Sequence, residues 1–176
     1  MIEGTIPTNV GAYKLIRETK GKNRSPEIDK LVKAQGGKLG EPYCQYGQQE
    51  VVDELCRYYK LDRKLVELPE GGSTQTVWGL VPKKYKVDKP NALCWVTWQN
   101  GNSWTGHVEM CLTESASGKF KALGFNTNID DSNSVVRDGQ GSGYTSRKTG
   151  SLNGMHVKGY TDVYQAIVDA MARAAK

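Results

Sequence analysis

The segment 92–112 has the sequence ALCWVTWQNGNSWTGHVEMCL, in which two runs of β-forming residues flank a turn. Residues 92–98 are rich in β-formers, the Asn-Gly-Asn run at 100–102 is a strong turn signal, and residues 106–112 predict a second strand. After a further turn, residues 120–126 predict a third strand. The sequence therefore predicts an antiparallel meander.

Two helices are predicted before this meander. Ser25 is a favourable N-cap with Pro26 at the first helical position, and an apolar stripe at helical spacing follows until a glycine pair. A second helical pattern begins at Cys44. Cys56 falls on the apolar stripe of that second helix, where we expect its thiol to pack as a small hydrophobic group.

The rest of the chain contains fewer regular patterns. Residues 61–90 predict mostly loop with one short helix, and residues 130–150 predict a long surface loop because Gly, Ser, Asp and Asn dominate them. Residues 156–160 predict a closing strand, and an amphipathic helix follows at 163–171. Since the helices come first and the sheet second, the predicted fold class is α+β, with N-terminal helices packed on a central antiparallel β-sheet.

The composition favours one globular domain and argues against several classes of protein. The 24 Lys and Arg residues exceed the 19 Asp and Glu residues by a net charge of +5, and they are scattered. This favours a solvated basic surface over affinity for an anionic polymer such as cell wall or nucleic acid, and we expect no nucleic-acid or membrane partner. No apolar run reaches the roughly 18 residues of a membrane-spanning helix. The N-terminus lacks the basic and apolar regions of a Sec signal peptide, so we expect synthesis in the cytoplasm and delivery by another component.

The four cysteines are predicted to be free thiols. They form no C-x-x-C pair, which argues against a zinc knuckle or a thioredoxin-type site. Cys94 and Cys111 are expected to pack on adjacent strands rather than to form a disulfide. The two histidines lie far apart in the sequence, so the chain predicts neither a metal site nor a cofactor.

Cys44, His107 and Asn126 form the candidate catalytic set. Cys44 lies where a loop becomes a helix, so the helix dipole and unpaired N–H groups would stabilise a thiolate. His107 begins the second strand and would act as the base, while the side-chain carbonyl of Asn126 would fix the imidazole tautomer from the next strand. The alternatives are a structural thiol, a strand histidine with a structural hydrogen bond, and Asn128 in the role of Asn126. His156 is predicted to be structural.

Five short motifs occur in order along the chain: NRSPEID (23–29), GEPYC (40–44), TGHV (105–108), LGFNTN (123–128), and DGQGSGY (138–144) with Arg147. Together they resemble the motifs of CHAP-type cysteine peptidases and amidases of the NlpC/P60 superfamily. Those proteins carry an aromatic-Cys pair at a helix start, a Gly-His-Val strand and a strand ending in Asn-Thr. The resemblance implies a papain-like fold and hydrolysis of peptide or amide bonds in peptidoglycan.

This resemblance also implies the roles of individual residues. The enzyme would be a cysteine peptidase or an N-acetylmuramoyl-L-alanine amidase in which Cys44 is the nucleophile, His107 the base and Asn126 the group that orients it. Tyr43 and Trp104 are candidate substrate-binding residues. The substrate would be peptidoglycan, met by a monomer at the cell wall or in the periplasm after delivery by a holin, a phage or a secretion system. An immunity, holin or secretion protein would be its partner, in cell lysis, wall remodelling or antagonism between bacteria.

The resemblance divides the chain into three parts. Residues 23–160 are the predicted CHAP-like catalytic domain, residues 1–22 a lead segment, and residues 161–176 a C-terminal amphipathic helix packed on the same domain. No wall-binding repeat is recognisable in the sequence. Substrate targeting is therefore expected to come from the catalytic domain or from a partner.

The sequence departs from the family pattern at three points. Gln-Tyr-Gly at 45–47 follows Cys44, where family members often have small apolar residues. Gly124 stands two residues before Asn126, where many members have Glu, so Asn126 is expected to orient His107 alone. No D-x-D run precedes the cysteine, which argues against the calcium site of some relatives.

A second function is open on the sequence. A catalytically inactive CHAP-fold module could bind the wall or a protein partner, for example as a phage structural component. Cys44, His107 and Asn126 together favour the hydrolase, because a non-catalytic scaffold does not need all three. Trp95 and Trp98 could line a sugar-binding groove, but packing in the core is favoured.

Overall fold

The structure is a computed structural model, and it describes residues 16–113, 116–128, 139, 141–150 and 154–176 of the 176-residue chain. Most of the predicted lead segment and the stretch at 129–138 lie outside these ranges. Four α-helices, six strands and two short 3₁₀ helices form within the described residues. They are α1 (Pro26–Ala34), α2 (Cys44–Tyr59), α3 (Thr74–Leu80), α4 (Val163–Ala174), β1 (Lys86–Val87), β2 (Cys94–Asn100), β3 (Gly106–Cys111), β4 (Lys119–Thr127), β5 (Gly141–Lys148), β6 (Met155–Asp162), and the 3₁₀ helices Arg63–Leu65 and Lys83–Tyr85.

The described strands form one open antiparallel sheet in the order β1-β6-β2-β3-β4-β5. The predicted meander is confirmed as β2, β3 and β4. The predicted closing strand is confirmed as β6, which pairs with the edge of β2 that β3 leaves free. With the helices packed against this sheet, the α+β class is confirmed.

The helix boundaries follow the capping signals in the sequence. The Ser25 hydroxyl accepts a hydrogen bond from the Ile28 N–H at 3.1 Å, and Pro26 opens α1. The chain leaves this helix at Gly36, whose φ of +74° suits a residue without a side chain. The predicted second helix is confirmed as α2, which begins at Cys44. None of the helices built from the described residues has the length and apolarity needed to cross a lipid bilayer.

Two apolar clusters join these elements. The larger one packs α1, α2 and α4 against the sheet and includes Ile28, Leu55, Val108, Met110 and Ile167. The smaller cluster consists of residues of the sheet strands: Cys94, Val96, Trp98, Cys111, Phe120, Ala122, Met155 and Tyr160, with Val87 and Val157 packed against them. The candidate catalytic elements α2, β3 and β4 meet at the larger cluster.

The prediction of a surface loop over 130–150 is wrong for residues 141–148, which form strand β5. Ser142, Thr145 and Arg147 of this strand are buried but polar, so no apolar alternation marks it in the sequence. The main chain of Ile16 and Arg17 adjoins the start of the same strand. Between 61 and 90 the predicted short helix is confirmed as α3, whereas the two-residue strand β1 is too short to leave a periodic signal.

Candidate active site

Cys44 is the first residue of α2 and borders an open cleft of about 420 Å³. Tyr43 stands in the N-cap position without a side-chain capping hydrogen bond, so it leaves the first N–H groups of the helix uncapped. Tyr46 and Trp104 line the same cleft. The helix dipole at this end favours a negative charge, which suits a thiolate or a developing oxyanion.

Helix α2 approaches strand β4 closely one turn after Cys44. A Cβ atom at Gly47 would lie 2.5 Å from Cδ2 of Phe125 and closer still to two other atoms of that ring. Phe125 is fully buried, so it has no open space into which it could move. The glycine of the unusual Gln-Tyr-Gly run is therefore required by the contact that holds the start of α2 against the sheet.

His107 is the second residue of β3 and lies opposite Trp98 in the β2–β3 ladder. Gly106 before it has a packing role, because a Cβ atom there would collide with the Trp98 carbonyl and the Gln75 amide. The Gln75 amide donates to that carbonyl at 2.8 Å, which joins α3 to this hairpin. Close packing against β2 and α3 therefore requires glycine at position 106. The side chain of His107 is held by its own ring contacts.

Glu109 contacts the imidazole of His107. Residues i and i+2 of a strand share a face, and Nε2 of His107 lies 3.1 Å from Oε1 of Glu109. Both side chains are fully buried. The sequence analysis did not select Glu109, and its carboxylate means that Asn126 is not the only polar group available to orient the ring.

The Glu109 carboxylate lies within a buried cluster of donors. Arg147 donates from Nε to Oε2 at 2.9 Å and from Nη2 to Oε1 at 2.8 Å. The hydroxyls of Thr127 and Thr145 each donate at 2.8 Å, one to each oxygen. Burial raises the pKa of Glu109, but His107 and Arg147 outweigh that effect and hold the pKa well below the usual range of a carboxyl group. Glu109 is therefore ionised at neutral pH.

The electrostatics of His107 point to proton exchange with Cys44. Burial, the largest influence, lowers the pKa of His107, but the Cys44 thiol and the Glu109 carboxylate raise it to about 9. An ionised carboxylate only accepts hydrogen bonds, so Nε2 must be the donor to Glu109. Among the described residues, no hydrogen bond to Nδ1 is present. Nδ1 is therefore the ring nitrogen that is left to exchange a proton with the Cys44 thiol.

Asn126 is fully buried in an irregular part of β4. The β3–β4 ladder ends at Glu109 opposite Gly124, and the register of β4 shifts before Thr127. Asn126 has a φ of +52°, and its carbonyl accepts the Gly139 N–H at 3.0 Å. Bulges of this kind redirect side chains next to active sites. Its predicted role toward the imidazole stays a prediction, since the contact described at Nε2 comes from Glu109.

The two candidate substrate-binding residues have different surroundings. Trp104 lies in the β2–β3 hairpin at the rim of the cleft and is 75% exposed. Tyr43 is fully buried and is not one of the cleft-lining residues among the described part of the chain, so its position offers no support for substrate contact. Glu41 also lines the cleft, where its carboxylate accepts a hydrogen bond from the Tyr46 hydroxyl at 2.7 Å.

The other candidates lie in the core or away from the cleft. Burial raises the pKa of Cys56, that of Cys111 to about 11 and that of Cys94 to about 12, so these thiols are poor nucleophiles at neutral pH. All four cysteines are free thiols. His156 lies on β6 opposite Gln99. Trp95 and Trp98 are buried in the core.

The described residues contain no group of three His, Cys, Asp or Glu side chains arranged to hold a metal ion. Comparison of the chain with models of protein families, with curated proteins and with solved structures gave no match. The interpretation of the site therefore rests on its geometry and on the motifs in the sequence.

Glu109 is the main residue that the sequence analysis missed. It stands in the strand GHVEMC between two apolar residues, and a charged side chain in a buried strand needs a partner of opposite charge. The sequence offered that partner as Arg147, but only as the end of the Gly-rich motif. The available signal was therefore an acidic residue in an apolar strand and a basic residue later in the chain. The sequence analysis did not connect the two, because it did not predict strand β5.

Proposed function

We propose that this protein is a thiol hydrolase with a papain-like fold of the NlpC/P60 type, and that it cleaves an amide or peptide bond of peptidoglycan. The observation that carries the proposal is Cys44 at the start of α2, bordering a cleft and acting on the buried ring of His107, which Glu109 holds from its far side. A nucleophile next to a base, with the base held by a third group, is the arrangement that thiol catalysis requires.

The reaction follows from these contacts. Nδ1 of His107, whose pKa is raised to about 9, holds the proton that it takes from the Cys44 thiol, and Sγ of Cys44 attacks the amide carbonyl. The N–H of Cys44 at the helix start stabilises the oxyanion, and His107 then gives its proton to the departing amine as the C–N bond breaks. Water, deprotonated by His107, hydrolyses the resulting thioester and frees Cys44. The chain neighbours of Cys44, Tyr43 and Gln45, are the candidates for the second oxyanion donor.

Peptidoglycan as the substrate is supported by the motif resemblance and by the cleft. An exposed indole such as that of Trp104 at the rim of a cleft is suited to stacking on a sugar ring. The net charge of +5 favours approach to an anionic wall. On this proposal the protein works as a monomer at the wall or in the periplasm after holin, phage or secretion-system delivery, and an immunity, holin or secretion protein is its partner.

The proposal is tested by incubating the purified chain with peptidoglycan and analysing the released fragments by mass spectrometry. We expect new amine and carboxyl ends and no new reducing sugar ends. Cleavage between the muramyl group and the first alanine would identify an amidase, and cleavage within the peptides an endopeptidase. New reducing ends, or fragments from a Cys44→Ala protein, would contradict thiol catalysis.

A catalytically inactive wall-binding module is the second candidate, and the exposed side chain of Trp104 is the observation in its favour. It predicts that the wild-type chain sediments with insoluble peptidoglycan but releases no fragments. It also predicts that Trp104→Ala abolishes sedimentation, whereas Cys44→Ala has no effect on any measured property.

A further inference from the structure

Glu109 and Gly124 face each other across the β3–β4 ladder and share one side-chain space. A Cβ atom at position 124 would lie 2.6 Å from Oε1 of Glu109 and 2.9 Å from its Cδ, which is closer than such atoms approach. Cγ2 of Thr127 would lie 2.7 Å from the same Cβ atom, so the Glu109 carboxylate and this methyl group together occupy the volume that a side chain at 124 would need. That volume adjoins the ring of His107.

We propose that Glu109 is the positioning residue of His107: it holds the proton on Nε2 so that Nδ1 exchanges a proton with Cys44, and Gly124 is the residue that leaves room for it. This inference rests on the proposed function only for its kinetic readout. Its spectroscopic readout concerns the ring alone.

Donors other than the ring also favour the ionised form of Glu109. Arg147 donates to both carboxylate oxygens from β5, and two threonine hydroxyls donate as well. A carboxylate with these donors has no proton to offer, so Nε2 can only be the donor. Among the described residues, the charged or titratable groups that act on His107 are the thiol of Cys44 from α2 and Glu109 on its own strand. The guanidinium of Arg147 contacts the Glu109 carboxylate from β5.

A purely structural ion pair makes a different prediction for catalysis. If Glu109 and Arg147 serve only to join β3 to β5, a folded Glu109→Gln protein keeps its kcat even though the ring has lost the nearby charge. The chain has two histidines, so the signals of His107 can be assigned by comparison with a His156 variant.

The first experiment is nitrogen-15 NMR of the imidazoles in the Cys44→Ala protein, where the thiol no longer competes for the ring. We expect the neutral ring of His107 to carry its proton on Nε2, with a slowly exchanging signal. Glu109→Gln should lose that signal and lower the pKa of His107, because the anion that favours the charged ring is gone. A neutral ring protonated on Nδ1, or a His107 titration unchanged by Glu109→Gln, would overturn the proposal.

The second experiment separates kcat from KM for wall hydrolysis. Glu109→Gln should lower kcat by about 100-fold or more with little change in KM, as expected for a lost orienting group. Glu67→Gln is the control, since Glu67 forms an ion pair with Arg173 outside the site. Glu109→Gly should be similarly inactive, because it removes the carboxylate altogether.

The outcomes distinguish the two proposals. If the wild-type chain releases no wall fragments but the Nε2 proton depends on Glu109, the proposed function fails and this inference stands. If wall hydrolysis proceeds with kcat unchanged in a folded Glu109→Gln protein, this inference alone is overturned. Where Glu109→Gln fails to fold, the spectrum of the Cys44→Ala protein, which keeps Glu109, decides the question.

Discussion

Gly47→Ala is the sharpest test of how α2 is held against the sheet. The added methyl group would lie 2.5 Å from Cδ2 of Phe125. Since carbon atoms in contact are separated by about 3.5–4.0 Å, the helix and the ring must move apart by at least about 1 Å. Overpacking of this size lowers the free energy of unfolding by up to about 3 kcal/mol. The higher helix propensity of Ala raises it by about 1 kcal/mol. We therefore expect a net loss of about 2 kcal/mol in the free energy of unfolding.

The chain provides a matched control for this substitution. Gly79 also lies in a helix, α3, and a Cβ atom there would meet nothing within 4 Å. Gly79→Ala should leave the stability unchanged or raise it by up to about 1 kcal/mol. Urea denaturation of the two variants measures the difference directly, because both make the same chemical change.

The same displacement should affect the chemistry. Gly47 is in the first turn of the helix that carries Cys44, so a shift of about 1 Å moves the thiol relative to His107 and can lower the rate by about 100-fold. Alkylation of Cys44 by iodoacetamide and release of wall fragments measure this effect. A Gly47→Ala protein with the urea midpoint of Gly79→Ala and wild-type rates in both assays would refute the close approach of α2 to β4.

The remaining predictions concern the groups that act on substrate. Cys44→Ala should abolish wall hydrolysis, whereas Cys56→Ala should keep it with a stability loss of a few kcal/mol at most, and preferential iodoacetamide labelling of Cys56 would reverse this assignment. His107→Ala should lower the hydrolysis rate by orders of magnitude and His156→Ala only slightly; equal losses in two variants that circular dichroism shows to be folded would mean that the base is misassigned. Hydrolysis should survive EDTA and stop with a thiol alkylator, and loss in EDTA that calcium or zinc restores would contradict a metal-free mechanism.

Local signals predicted most of the fold. The Ser25-Pro26 cap and its apolar stripe predicted α1, and runs of β-formers around an Asn-Gly turn predicted β2 and β3. The positions of Cys44 at a helix start and of His107 at a strand start were predicted by the same means. These signals depend on a few neighbouring residues, and for that reason they can be recognised in the sequence alone.

Strand β5 and Glu109 could not be predicted in this way, for one shared reason. Thr145 and Arg147 of β5 are buried yet polar because they contact the Glu109 carboxylate, which lies on a strand 36 residues before Thr145. Periodicity identifies a strand by an apolar face, and a buried face made of Ser, Thr and Arg has none. Only the pairing of β4 with β3 and β5 brings the two polar patterns together.

The energetics of this buried cluster favour a role in chemistry over a role in stability. A buried ion pair loses the hydration of both charges, and well-packed apolar residues of similar volume often serve a sheet as well or better. The smaller apolar cluster shows that apolar side chains do fill positions on β3 and on its neighbours β2 and β4. The Glu109 carboxylate has five hydrogen-bonding contacts, one of them to His107. If its role were only to connect β3 to β5, the free energy lost on burying these charges would have no functional reason. If Glu109 positions His107, this role explains the polar face of β5. The donors on β5 keep the Glu109 carboxylate ionised in the core, the carboxylate binds Nε2, and Nδ1 is left for Cys44.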